Sequence, residues 1–273
     1  MLLFEAIALI LIAFGSGIVS AIIGVGGGFL VVPILVLFFG LSSHQAVGTS
    51  LVMIVFTALS STFAYARQRR IDYKAGLALT LGTVPGAIAG AYVTAFITAK
   101  GLASLFGAFL IIIAIHMIMT SEKEETSKNP VAGTRGWRRK IVDSKGVSFE
   151  YMANITFGVA LSFLGGFASG FFGVGGGAVM VPVMALEVGI PMHVAVATSM
   201  FIMIFTSISG AAIHLALRHI LFDYAACLII GIIGGTQLGA AIARKLEART
   251  LKRAFGVFLI IIGLRMALEY VLS

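Results

Sequence analysis

The sequence predicts an all-α polytopic membrane protein built from two inverted-topology repeats, and three observations carry that prediction. The first is composition: 59% of residues are hydrophobic and 11% charged, with a mean hydropathy of +1.08. A soluble domain carries about a quarter charged residues. The second is a duplication. The stretch "IIGVGGGFLVVPIL" (Ile22–Leu35) returns as "FFGVGGGAVMVPVM" (Phe171–Met184), 149 residues later and without a gap. The third is the placement of Lys and Arg, which runs in opposite phase in the two halves.

Five apolar segments are expected in the first half: Leu2–Ile23, Phe29–Phe39, Ala46–Ala66, Ala75–Ile97 and Leu102–Thr120. Those of about 20 residues suffice for a hydrocarbon core of roughly 30 Å. The second spans only about 17 Å at 1.5 Å per residue, and its counterpart Ala178–Val188 is equally short. Each half therefore has four to five membrane segments, one of them a half-membrane or re-entrant helix after a glycine-rich turn. Strand alternation of the outer-membrane-barrel kind is absent. The register of 149 also pairs Pro33 with Pro182, His44 with His193, Thr49 with Thr198 and Ser50 with Ser199. It continues through Gly82/Gly231, Gly86/Gly235 and Gly90/Gly239. The expected boundaries are a first repeat over 1–120, a polar linker over 121–150 and a second repeat over 151–273.

Charge distinguishes a parallel from an inverted duplication. Arg67, Arg69, Arg70 and Lys74 follow the third segment of the first half, but Arg244, Lys245, Arg249, Lys252 and Arg253 follow the fourth segment of the second. With the second half upside down, these clusters and the linker put sixteen of the 19 Lys and Arg on one face. The positive-inside rule makes that face cytoplasmic. The +8 charge thus sets orientation and does not call for nucleic acid; membrane lipid and a small anionic substrate are the expected partners. The N-terminal segment lacks a basic n-region and reads as retained, not as a cleaved signal. One cysteine, Cys227, excludes an intrachain disulfide. Nothing in the chain fixes an oligomeric state.

Paired broken helices at matching positions are how many secondary transporters build a midplane site. A glycine turn frees the backbone to bend, and the helix after it offers unpaired N–H groups to an anion. The candidate substrate-binding residues are Gly24, Gly26, Gly27 and Gly28 with Gly173, Gly175, Gly176 and Gly177. Close packing is the alternative for glycine in membrane helices, and it is preferred for Gly82, Gly86, Gly90 and their partners. Thr49 and Ser50, with Thr198 and Ser199, are expected to begin the third segments. There they could donate to an oxyanion, or serve as caps and packing groups. His44 and His193, in the turns just before, are candidates for proton coupling or simply interfacial residues. Glu187 and His214, which stands opposite Tyr65, are further proton-coupling candidates, with a snorkelling or interface position as the alternative. Arg265 and Glu269 read as a local pair. A GxGxxA match at the second knot lacks the surrounding βαβ unit of a dinucleotide site. No HExxH, nucleophile motif or Cys/His cluster points to an enzyme, and no cofactor or metal is called for.

A GxGGG knot, a short segment with proline, then "AVGTS" or "AVATS", all written twice, resembles the sulfite exporter TauE/SafE family of membrane permeases. The resemblance covers nearly the whole chain except the linker. It implies a bacterial or archaeal inner-membrane protein that moves small sulfur-containing anions such as sulfite or sulfonates, usually outward. It also implies that the knots and the Thr-Ser pairs form the central site. Alternating-access transport is the expectation, with an anion channel over the same amide-lined site as the alternative.

Overall fold

The computed structural model describes residues 3–123, 136–242, 260–261 and 263–265. The basic cluster 244–253, part of the linker and Glu269 lie outside them. Among the described residues six helices are long and apolar enough to cross a membrane. The protein is a multi-pass all-α membrane protein. Its helices are α1 (Leu3–Ile23), α2 (Gly28–Phe39), α3 (Ser43–Arg67), α4 (Tyr73–Val93), α5 (Ala99–Lys123), α6 (Ile155–Phe172), α7 (Gly177–Pro182), α8 (Met192–Ala216) and α9 (Phe222–Ile242). A π-helical turn, Val183–Glu187, extends α7.

Local chemistry sets the helix ends. Ser42 caps α3 through a capping box, its hydroxyl taking the Gln45 N–H while the Gln45 side chain takes the Ser42 N–H. Asp72 caps α4 by accepting the N–H groups of Lys74 and Ala75, both at 3.1 Å. Asn154 accepts from the Phe157 N–H to start α6. The third helices therefore begin earlier than expected. Thr49 and Ser50 lie nearly two turns inside α3, Thr198 and Ser199 similarly inside α8, and His44 and His193 sit in first helical turns.

The halves are interleaved, because α4 of the first packs along α6 of the second and α9 packs along α1. Glycine spines permit this approach. A β-carbon built at Gly86 would fall 2.2 Å from the Phe163 carbonyl oxygen, and one at Gly235 would fall 2.0 Å from that of Phe14. The packing reading of these glycines therefore holds: dispersion contacts, not water exclusion, draw helices together in lipid, and missing side chains let backbones touch. At the centre, α3 and α8 lie side by side and run antiparallel. His44 at the start of α3 meets His219 just beyond α8, with ring centroids 4.9 Å apart. At the other end the Asp72 N–H, just beyond α3, donates to Thr198 Oγ1 at 3.0 Å.

One element was not expected. Residues Trp137–Val142 (β1) and Ser148–Ala153 (β2) form an antiparallel hairpin inside the stretch read as linker, three residues past its expected boundary. Asp143 ties the turn by accepting from the Lys145 and Val147 N–H groups at 2.8 and 3.0 Å. Gly146 supplies the left-handed residue, with φ 83°. Phe149, Tyr151 and Ala153 face inward and Ser148, Glu150 and Met152 outward, the period of two of a half-buried strand.

Candidate functional site

The two glycine knots meet at the centre. Gly24, Gly26 and Gly27 have φ of 86°, 94° and 83°, and Gly173, Gly175 and Gly176 have 68°, 82° and 76°. Six left-handed residues in one register are affordable only to glycine. The fourth glycine of each knot is needed for space. A β-carbon on Gly28 would lie 2.0 Å from the Gly173 carbonyl oxygen, and one on Gly177 would lie 2.1 Å from that of Gly24. Each knot thus presses its tip against the start of the other.

Serines lock this crossing. Ser50 Oγ donates to the Gly173 carbonyl at 2.8 Å, and Ser199 Oγ donates to the Gly24 carbonyl at 3.1 Å. The hydroxyls named as oxyanion donors are held here by the opposite knot. Thr49 and Thr198 serve the turns at either end of the α3–α8 pair, where Thr49 Oγ1 accepts from the Leu221 N–H at 3.1 Å as Thr198 does from Asp72.

What remains unpaired at the knots is donor capacity. Among the described residues, the N–H groups of Val25, Gly26, Gly27 and Gly28 donate to no partner, nor do those of Val174, Gly175, Gly176 and Gly177. Beside them stand Ser20 and Ser169, both fully buried and both with hydroxyls that have no hydrogen-bond partner. The Ser20 β-carbon lies 3.5 Å from a β-carbon built on Gly27, and the Ser169 β-carbon 3.3 Å from one on Gly176. Each unpaired buried donor costs about 1–3 kcal/mol, and lipid has nothing to offer it. Between the knots sit Met203 and Ile54, themselves 149 residues apart. The Met203 sulfur lies 2.9 Å from β-carbons built on both Gly26 and Gly175.

A family model described as sulfite exporter TauE/SafE matches residues 9–266. The chain belongs to this family. It is therefore a membrane transporter. It is 36% identical to the probable membrane transporter protein YunE of Bacillus subtilis, over 98% of this chain and 99% of that one. It is 31% identical to the probable membrane transporter protein MJ0441 of Methanocaldococcus jannaschii, over 95% and 94%. It is also 25% identical to the sulfite exporter TauE/SafE family protein 5 of Arabidopsis thaliana, over 57% of this chain and 36% of that one. No solved structure matches.

In this TauE/SafE chain the proton-coupling candidates separate. His44 and His214 come together at one end with His219, which sequence reasoning missed. The His214 and His219 Nδ1 atoms are 3.1 Å apart. His193 and Glu187 are exposed at the opposite end, where the His193 ring lies 6.4 Å from that of Phe149. The His193 and Glu187 side chains are thus not part of the histidine group. Sequence reasoning also missed Ser20 and Ser169. Their signal was available, as one identical pair of polar residues in apolar helices, one turn before each knot. Among the described residues no His, Cys, Asp or Glu group could hold a metal.

Proposed function

We propose that the protein is a secondary transporter that moves a small sulfur-containing oxyanion, such as sulfite or a sulfonate, out across a bacterial or archaeal inner membrane by alternating access. The observation that carries this reading is the meeting of two knots with unpaired amide donors beside two unpaired serine hydroxyls. Oxyanions accept hydrogen bonds and need no fixed cation to be held by them. A helix N-terminus adds roughly +0.5 charge, so two of them roughly balance a monoanion. Among the described residues no Lys or Arg lies inside a membrane-spanning helix away from its ends. Neutral donors bind more weakly than buried cations would, which favours release.

The family supports sulfur oxyanions as the substrate class. The antiparallel run of the equivalent helices α3 and α8 supports the inverted duplication. So does the contact of Gln68 Nε2 with the Ala240 carbonyl at 3.4 Å, which puts the end of α9 beside the basic turn after α3. That turn and the hairpin form the cytoplasmic face in this reading. Met203 and Ile54 fill the space between the knots, so this conformation is an occluded one, and rocking of the halves about the knots would move them aside. Proteoliposomes loaded with a panel of sulfur oxyanions and sulfonates test the proposal. Saturable flux is expected for at least one, and ohmic single-channel current instead would overturn the carrier mechanism.

A further inference from the structure

We infer that His44, His214 and His219 form a proton-binding site whose occupancy releases the 217–221 turn from α3. This site lies apart from the knots, and it rests on the transporter reading only for its link to flux. The hydrogen bonds assign every ring proton. A carbonyl oxygen only accepts, so His214 Nε2, 3.0 Å from the Gly170 oxygen, carries a hydrogen. The neutral His214 ring then has a bare Nδ1, and His219 Nδ1, 3.1 Å away, must be the donor to it. His44 Nε2 donates to the Thr94 carbonyl at 3.0 Å. The three rings are neutral with one hydrogen each, and His219 Nε2 is bare and open to a further proton.

That proton can enter at His219 Nε2 while the Nδ1 hydrogen of His219 passes to His214 Nδ1. One proton comes in, none leaves, and the cluster gains one positive charge. The His214–His219 bond survives this step with its direction reversed, because only a second proton would put hydrogens on both facing Nδ1 atoms. What changes is the charge, which the buried and half-buried rings hold at a cost in the docked turn and which a released turn can place in water. Among the described residues the titratable groups that face the cluster are the rings themselves: His44 from α3, His214 from α8 and His219 from the turn. From α6 and from the turn just after α4 come the carbonyls of Gly170 and Thr94. The flanking charges, Arg218 on the turn, Lys100 in the first turn of α5 and Asp223 in that of α9, are exposed, and Tyr224 packs edge-on against Phe39. Among the described residues no carboxylate pairs with the rings, so added charge has nothing there to settle against. Burial first, and then the neighbouring His44, push His219 below the ordinary imidazole value of 6.5.

The turn carrying His219 is the one latched to α3. A β-carbon on Gly48 would come within 2.7 Å of the His219 carbonyl oxygen, and the next residue, Thr49, accepts the Leu221 N–H. Charge on the rings therefore loads the contact that closes this end of the α3–α8 pair. The other end has no such device. Tyr65 occupies the place of His214, and its hydroxyl donates to the Ala21 carbonyl in the same register as His214 to Gly170.

The test uses the full chain in detergent with Cys227→Ala. One variant adds Leu221→Cys, whose latch survives because it uses the backbone N–H, and another adds the exposed Arg218→Cys as a reference. Maleimide labelling is measured as the ratio of the two rates, which cancels thiol ionisation. The ratio is expected to rise several-fold between pH 8 and about pH 5.5, the range in which histidine titrates, and to stay flat once His219→Gln is added. A flat ratio in the parent protein, or a rise retained with His219→Gln, would overturn the site. Histidine-ring NMR of the unsubstituted protein reads the same point without risk to folding. His214 and His219 should titrate as a coupled pair, and independent titration near the ordinary value would overturn the proposal. Absence of any anion flux alongside a pH-dependent ratio would remove the proposed function and leave the proton site standing.

Discussion

The two ends of the α3–α8 pair use the same latch in different surroundings. At one end Thr198 accepts the Asp72 N–H, and at the other Thr49 accepts the Leu221 N–H. Asp72 is fully buried, and its carboxylate takes bonds from Arg139 Nε and Nη2 at 2.8 and 2.6 Å and from the Tyr151 hydroxyl at 2.7 Å. Arg70 and Asp143, 3.1 Å apart, pin the hairpin a second time. The Leu221 end has three imidazoles and, among the described residues, no ion pair. A duplicated scaffold has thus been given one end closed by charge pairs and one end closed by neutral, titratable rings. Symmetry in the backbone does not require symmetry in what opens it.

The two ends share their pivot, so the largest effect is expected there. Gly26→Leu and Gly175→Leu each place a side chain on the Met203 sulfur and across the knot tips. Sulfite or sulfonate flux in proteoliposomes should fall to background while membrane insertion persists. Unchanged flux in either would show that the knots only pack. Gly28→Ala and Gly177→Ala drive a methyl into the facing carbonyl, and a loss of about 3 kcal/mol of stability is expected for each.

Next comes the charge-paired end. Asp72→Ala strands Arg139 and leaves the Tyr151 hydroxyl without its acceptor, and a loss of about 2–3 kcal/mol is expected from thermal or denaturant unfolding. Acid separates the two ends. Burial would raise the Asp72 carboxyl, but the bonds from Arg139, the Ala75 N–H and Tyr151 outweigh it and hold it below its ordinary 3.8. A depressed acid stabilises at every pH above its unfolded value and loses that stability only as pH falls below it. The hairpin end should therefore stay docked until below about pH 4. His219, also depressed, binds protons less readily folded than unfolded, so its contribution begins to fall near pH 6.5. Hydrogen exchange at residues 137–153 and 217–221 across this range should show the latter loosening first. Simultaneous loosening would erase the contrast.

The latches themselves come third. Thr198→Val leaves the buried Asp72 N–H unpaired and Thr49→Val the partly buried Leu221 N–H, worth about 1–2 kcal/mol each. Exchange at Leu221 should rise more than at Asp72, because the hairpin holds Asp72 independently. Equal rises would mean that the hairpin adds nothing to the closure.

How much of this was legible follows from what each feature costs to encode. The knots were legible because three successive glycines in a membrane segment are expensive unless the backbone needs left-handed angles. The 149-residue register was legible because it survived without a gap. The Ser50 and Ser199 locks were not, since a hydroxyl in a helix can point at its own carbonyl or across to another chain segment, and sequence does not choose. The hairpin was half-written in "SFEYMA", whose alternation was overlooked inside a polar stretch. His219 escaped because its repeat partner is Arg70, so the duplication gave no pointer to it.

Arg69 and Arg218 give the finest comparison of the two ends. They stand 149 residues apart, just after α3 and α8, and both are left-handed, with φ of 54° and 58°. No glycine marks either turn, so the strained position is invisible in the sequence. A β-carbon in this region costs about 1 kcal/mol relative to glycine. Arg69→Gly and Arg218→Gly should therefore each relieve strain, and whatever charge the arginine contributes is lost with it. At position 218 the arginine is exposed and the described residues hold no ion pair in the turn, so net stabilisation of up to about 1 kcal/mol is expected. At position 69 the neighbouring Arg70 already holds Asp143, so a gain of the same sign should appear with little change in hairpin docking. Opposite signs at the two positions would show that the turns, alike in backbone, are held by different forces. That would extend the divergence of the two ends down to their tightest turns.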